Sequence, residues 1–314
     1  MGQADDRGAA GVAARGITRV PIFFVNAYLI DVNPDDPSAG WVLFDTGLAG
    51  VGRVELQSAA ARRYGGRAPR AIILSHGHFD HAGSARRLAE LWKVPVYAHP
   101  LELPYLTGRS HYPPPDPTVG GAFAMMSRTF PYRALDLGAA VRALPEDGSV
   151  PELGGWRALH TPGHTVGHIS LWHEANRTLL AGDALVTQNQ ESWTTTMTRA
   201  RELRHPPAPL TTDWHAARQS VHRLAVLRPN VVAAGHGLPL IGPDVASQLA
   251  RFANDFTPPT RGRYVHQPVY ADNRGVVSLP PRVPDPVGRV LRGAVAAASV
   301  AALFAALGRV KRRT

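Results

Sequence analysis

The sequence predicts an α/β protein whose chemistry sits where strands end, and three observations carry that expectation. First, the apolar run Ala71-Ile72-Ile73-Leu74 has the length of a buried strand. It leads into Ser75-His76-Gly77-His78-Phe79-Asp80-His81, then a helical segment over 82–92 and a second strand over 94–98, a β-α-β unit whose strands should be parallel. Second, residues 156–160, 169–172 and 178–180 read as three more short strands. Third, a helix carrying Trp214, Ala217, Val221, Leu224 and Leu227 on one face precedes a strand over 230–234.

Residues 1–19 are rich in Gly, Ala, Asp and Arg and read as a disordered lead. They lack a secretory apolar stretch, and Asp6 stands where a myristoylation start needs Ser or Thr, so the expected location is cytoplasmic. Residues 22–30 and 40–44 are β-rich runs separated by the turn Asn33-Pro34-Asp35-Asp36-Pro37, which predicts a hairpin. Asp45-Thr46-Gly47 closes the second run. Asp45 either makes a tight turn there or orients a metal-bound histidine. A helix is expected over 50–64.

Residues 101–147 break the rhythm with Tyr105, His111, Tyr112, three consecutive prolines, Phe123, Met125, Met126 and Phe130. So many aromatic and sulfur-bearing side chains favour a packed, apolar lid over a disordered insertion. The stretch 187–210, with Trp193, is irregular too. Thr212 is expected to cap the helix that follows, a second helix runs from Asp244 to about 256, and 264–270 pairs with 276–279 as a terminal hairpin.

The segment 290–310 is alanine-rich and uncharged from Gly293 to Gly308. Sixteen helical residues span about 24 Å, short of the roughly 30 Å hydrocarbon core. Packing on the domain or on a partner is therefore expected, with an anionic membrane surface as the alternative.

Composition sets bounds on function. Of 314 residues, 44% are hydrophobic and 18% charged, as in ordinary folded chains. The absence of cysteine excludes disulfides, thiolate metal sites and thiol nucleophiles. The net charge of +10 would suit nucleic acid, but residues 285–314 hold half of it. The rest is scattered arginine without interleaved aromatics, so nucleic acid is not the expected partner.

The chemistry collects at five strand ends: Asp45, the cluster from His76 to His81, His164, Asp183 and His236. Chance would place three histidines and an aspartate at such fixed spacing in roughly one chain in several hundred. Imidazole with carboxylate suits zinc, and also iron, manganese or cobalt.

These residues resemble the metallo-β-lactamase-fold hydrolase superfamily. The His-x-His-x-Asp-His signature is His76, His78, Asp80 and His81, followed in the family's order by Gly163-His164, Gly182-Asp183 and Gly235-His236. The resemblance implies an αββα sandwich, two mixed β-sheets with helices on both outer faces, over residues 20–285, with 286–314 as a basic tail. It implies two divalent cations, zinc first and manganese or iron next. His76, His78 and His164 would hold one, Asp80, His81 and His236 the other, and Asp183 would bridge them.

The implied reaction is hydrolysis of a carboxylic ester, lactone or thioester by hydroxide made available at neutral pH, with Asp80 as proton donor to the leaving group. The implied substrate is a small molecule with a carbonyl centre. Lactonases of this kind carry a tyrosine three residues after the bridging aspartate, whereas this chain has Val186, leaving Tyr105 or Tyr112 of the lid to substitute. Phe123 and Trp193 are expected in an apolar acyl pocket. The alternatives are a phosphodiesterase or nuclease with the same metal core and an iron-dependent sulfur dioxygenase. Homo-oligomerisation is left open.

Overall fold

Alternation along the central strands decides the architecture. The computed structural model describes residues 11–189, 201–288 and 290. Among these, one sheet holds, in sequence order, β1 (Gly11–Ala14), β2 (Ile17–Ile22), β3 (Val25–Asp31), β4 (Trp41–Phe44), β5 (Ile72–Ile73), β6 (Val96–Ala98) and β7 (Val141–Ala143). Neighbours from β1 to β4 are antiparallel, and those from β4 to β7 are parallel. The second sheet is built from β8 (Trp156–His160), β9 (Ile169–His173), β10 (Thr178–Gly182), β11 (Val231–Ala234) and β12 (Leu240–Ile241). Its order is β12-β11-β10-β9-β8, with β10 and β11 parallel.

Successive side chains along these strands enter different cores. Leu29 and Leu43 face outward onto Leu56 and Ala59 of the helix Val51–Tyr64 and Leu88 of the helix Ala85–Trp92. Their neighbours Tyr28, Ile30, Val42 and Phe44 face inward, against Ile169, Leu171, Leu180 and Ala233 of the other sheet. On the far side, Leu179, Ala181, Val232 and Ala234 pack on Trp214, Ala217, Val221 and Leu224 of the helix Trp214–Val226 and on Leu249 of the helix Val245–Asn254. A strand covered on both faces needs an apolar residue at every position, which is why residues 41–44 and 71–74 read as unbroken hydrophobic runs. The αββα sandwich is the result.

Hydrogen bonds tie the two sheets together at one end. Tyr28 Oη donates to the Ala234 carbonyl at 2.6 Å, and Asn26 Nδ2 donates to the Gly237 carbonyl at 2.7 Å. Backbone bonds join Asn26 N–H to Gly235 O and Ile169 N–H to Ser75 O. Each lies beside a strand end that carries a histidine of interest.

The structure corrects several expectations. Residues 11–19, expected as part of a disordered lead, form β1 and the start of β2, while 1–10 lie outside the described residues. Ala13 and Ile17 are buried there, and pairing onto a sheet edge supplies the order that their weak hydrophobicity does not. The run 22–30 is broken by the two-residue turn Phe23-Phe24, with Phe23 at φ 58° and Ile22 facing Val25. Asp213, not Thr212, caps its helix, accepting from the Ala216 N–H at 2.9 Å. The terminal hairpin is shorter than expected, β13 (Tyr270–Asp272) with β14 (Gly275–Ser278), because Tyr264 turns inward and donates to the Pro114 carbonyl.

The segment 101–147 is structured but only partly packed: Tyr105 and Tyr112 are buried, whereas Met125 and Met126, expected in an apolar lid, are exposed. It contains the short helices Leu103–Leu106 and Ala122–Met126, and its own backbone pairs link Tyr112 to Tyr132 and Leu135 to Tyr105. The chain divides into two units, Met1–Pro280 and Pro281–Thr314. In the second, residues 286–288 are helical and Asp285 accepts from the Gly288 N–H. The alanine-rich run 293–308 lies outside the described residues. Among those described, no helix is long and apolar enough to cross a membrane.

Candidate metal centre

The parallel strands β4, β5, β10 and β11 deliver their C-terminal residues to one rim, so Asp45, His76, Asp183 and His236 meet there although far apart in sequence. His78 opens the short helix Phe79–Ala82, which turns Asp80 and His81 back toward the same point. His164 arrives from the loop between β8 and β9. All eight residues are at most 4% exposed.

All but Asp45 gather as two triads about a carboxylate. His76, His78 and His164 bring ring nitrogens together: His76 Nε2 lies 2.9 Å and His164 Nε2 3.0 Å from His78 Nδ1. Asp80, His81 and His236 form the other group, with Asp80 Oδ2 3.9 Å from His81 Nε2 and 3.6 Å from His236 Nε2. Asp183 Oδ2 sits between them, 3.6 Å from His164, 3.4 Å from His81 and 3.2 Å from His236. A third group that could hold a cation, His76, His81 and Asp183, overlaps the other two.

The far nitrogens explain why the near ones are free to bind a cation. His81 Nδ1 donates to Asp45 Oδ2 at 2.9 Å, and His236 Nδ1 donates to the Phe24 carbonyl at 2.8 Å. His76 Nδ1 meets Ser75 Oγ at 3.0 Å, and that hydroxyl donates onward to Asp45. His164 Nδ1 meets Thr211 Oγ1, whose proton goes to the Pro207 carbonyl. A neutral ring with its proton on the outer nitrogen presents a lone pair inward. Asp45 accepts from His81 while its own backbone turns tightly at φ 61°.

A test of fit follows from buried atoms with nothing to bond. Asp80 Oδ1, His81 Nε2 and Asp183 Oδ1 have no hydrogen-bond partner among the described residues, and all three belong to side chains of this centre. A buried polar atom left unpaired is costly, and a divalent cation would satisfy the lot. The residues present therefore fit two divalent ions. Small residues make the convergence possible: a Cβ on Gly235 would lie 2.2 Å from Asp183 Oδ1 and 2.6 Å from His81.

Protonation differs between the triads. Burial, with the neighbouring imidazoles, holds His76 and His164 well below the usual histidine range and His78 down at about 3. In the other triad, burial pulls the same way, but Asp183 and Asp80 overcome it and raise His81 and His236. Asp183 is held well below the carboxylate range despite its burial by His236 and His81, whereas burial raises Asp80.

Sequence reasoning missed three contributors. His168 Nε2 accepts the Asp183 backbone N–H at 2.8 Å, so its ring proton must sit on Nδ1, toward Thr161. Burial holds it down at about 3, neutral as that bond requires. Its place four residues after His164 was the available signal. Phe24 stacks on His236 at 5.9 Å, and Glu102 is wholly buried behind the His76–His78 loop.

The expected substrate residues separate. Tyr112 borders His78, ring centroids 4.5 Å apart, but its hydroxyl donates to Glu102 and accepts from the Gly77 N–H. Tyr105 is buried and stacked on Tyr112 at 4.2 Å. Neither stands as the open hydroxyl that a substitute for the missing lactonase tyrosine requires. Phe123 is half-buried in a chain of rings, 5.0 Å from Phe130, which is 5.6 Å from Phe79 of the histidine cluster. Trp193 lies outside the described residues.

Comparison with known proteins agrees with this geometry. The sequence profile of the metallo-beta-lactamase superfamily matches residues 20–236. The chain is 42% identical over 248 residues to the probable metallo-hydrolase YflN of Bacillus subtilis, covering 79% of this chain and 93% of that one. Among solved structures, a beta-lactamase domain protein from Burkholderia ambifaria shares the fold with a TM-score of 0.56 at 22% identity, over 80% of this chain and 77% of that one. The metallo-beta-lactamase family protein TTHA1429 from Thermus thermophilus gives 0.50 at 25% identity, over 78% and 81%. With the profile matched over residues 20–236 and its strand-end histidines and aspartates gathered on one rim, this chain belongs to the metallo-beta-lactamase superfamily.

Proposed function

We propose that the protein hydrolyses a small carboxylic ester or thioester, with lactones as the less favoured member of the same class, using two divalent cations, zinc first among them. The observation that carries this reading is the pair of complete triads joined by Asp183 Oδ2, with Asp80 Oδ1 and Asp183 Oδ1 unpaired beside them. When bound, two such cations bring the pKa of water toward neutrality and polarise a carbonyl oxygen.

The chain's own residues supply the rest. Asp183 faces both triads through one oxygen and holds them in register. Asp80 is raised by burial and keeps Oδ1 unpaired, which suits it to carry a proton to the leaving group. Phe79, which lies between His78 and Asp80, begins a chain of rings through Phe130 to Phe123, and this apolar surface is where the reading places an acyl chain. Because Val186 replaces the lactonase tyrosine and the Tyr112 hydroxyl is already engaged, polarisation by a tyrosine is not part of the proposal.

Proton release in a pH-stat tests the reading, on one thioester, one aryl ester, one lactone and one phosphodiester, with Asp183→Asn in parallel. Turnover of a carbonyl substrate that the variant abolishes is the expected result. Turnover of the phosphodiester alone would move the protein to phosphodiester chemistry. Silence on all four, with oxygen uptake by an iron-loaded preparation, would move it to sulfur oxidation.

A further inference from the structure

Glu102 is buried to 0% exposure, and the hydrolytic scheme gives it no task. A carboxyl group so placed is expensive unless its oxygens are fully engaged, and here they are. Oε2 accepts from the Gly77 N–H at 3.0 Å and from the Tyr112 hydroxyl. Oε1 accepts from Thr165 Oγ1 at 2.6 Å and from the Gly167 N–H at 3.0 Å. Gly77 is the residue between His76 and His78, and Thr165 follows His164. One side chain therefore clasps the two loops that carry the first triad.

The surroundings are shaped for this clasp. A Cβ on Gly167 would lie 2.8 Å from the Glu102 nitrogen and 2.9 Å from its Cγ. A Cβ on Gly77 would lie 2.6 Å from the Tyr112 hydroxyl. Both glycines are needed for the close approach itself. Tyr112, fixed by Glu102, then lies flank-on to His78 and steadies that ring by packing. The second triad is held by other means, Asp45 on His81 and the Phe24 carbonyl on His236, and none of the four donors to Glu102 belongs to it.

We propose that Glu102 is a positioning residue for one of the two metal positions, setting the spacing of His76 and His78 against His164 and tying that spacing to the lid through Tyr112. The inference rests on the two-cation reading but not on which bond is cleaved. Replacing the carboxylate by an amide turns one of its oxygens into a donor facing donors, so Glu102→Gln should open the clasp.

The test is zinc binding by the full chain, stripped of metal and then titrated against a chelator of graded strength. Wild type should take two ions, and Glu102→Gln should bind one of them about 10–100-fold more weakly, the usual size of an effect transmitted through a ligand's support. The double variants identify which ion is affected. Added to His164→Ala, Glu102→Gln should change zinc binding no further, whereas added to His236→Ala it should weaken the one ion left by the same factor, about 10–100-fold. Should Glu102→Gln fail to fold, Tyr112→Phe and Thr165→Ala each remove one donor and should weaken the same ion by a smaller factor. Two ions held as tightly as in wild type, with only a lower melting temperature, would overturn the inference. A wild-type chain that binds a single ion would instead overturn the two-cation reading, and this inference with it.

Discussion

The two triads share a carboxylate and differ in nearly everything else. His76, His78 and His164 are three imidazoles kept neutral by burial. Asp80, His81 and His236 combine a carboxylate with two imidazoles that Asp183 and Asp80 hold above their ordinary range. The first group is ready for a cation without losing protons. The second holds its protons more strongly, so a cation there meets proton competition that persists to higher pH. One centre can thereby contain a position set by geometry and another set by charge.

The comparison can be broken most severely at its shared member. Asp183→Asn weakens the carboxylate that faces both triads, and turnover should fall by at least on the order of a hundredfold, since even a ligand's supporting partner is worth that much. Metal content should fall in parallel. Loss of turnover with two tightly held ions would show that Asp183 acts on the substrate and not on the cations.

A smaller effect should divide the triads. Asp45→Ala removes the acceptor of the His81 Nδ1 proton and should weaken the ion at the second triad by about 10–100-fold. Some loss at the first is expected too, because Ser75 links Asp45 to His76. Equal loss at both positions would show that Asp45 supports the whole rim.

Acidity sharpens the same contrast. The raised His81 and His236 keep their protons to higher pH in the metal-free chain than the other three histidines do, so binding at their triad weakens the more strongly as pH falls. The depressed His76, His78 and His164 are already neutral, and binding there should stay nearly flat from about pH 8 to about pH 6. Calorimetry in buffers of different ionisation enthalpy would count the protons, and release on binding the first-triad ion would contradict the assignment.

The least effect belongs to the lid. Phe123→Ala should lower kcat/KM for long-acyl substrates several-fold while sparing short ones, because one ring buried against an acyl chain is worth about 1–2 kcal/mol. Equal loss on both would remove Phe123 from the acyl path.

The clustered histidines and aspartates were legible in the sequence because such residues seldom gather at the ends of buried strands unless they hold a cation or do chemistry. His76, His78, Asp80 and His81 announce themselves by spacing, and the later three by their place after short apolar runs. Their supports are quieter. Asp45 is also a turn former, so its sequence leaves two readings open, and its bonds to Ser75 and His81 are invisible there. Glu102 lies in an aperiodic stretch where an acidic residue looks solvent-exposed, and nothing local tells that four donors surround it. The turn at Phe23-Phe24 lacks the glycine or asparagine that such turns usually announce, so the two strands it joins read as one. Residues 11–14 take their order from a neighbouring strand, a tertiary effect invisible in their own composition.

The two-cation centre is tested most directly by a metal titration of the stripped chain, with turnover and bound ions measured on the same samples. Two ions per chain, with hydrolysis of a carbonyl substrate rising only as the second is taken up, is the predicted result. Full turnover with a single ion bound, or no dependence on added metal, would contradict it.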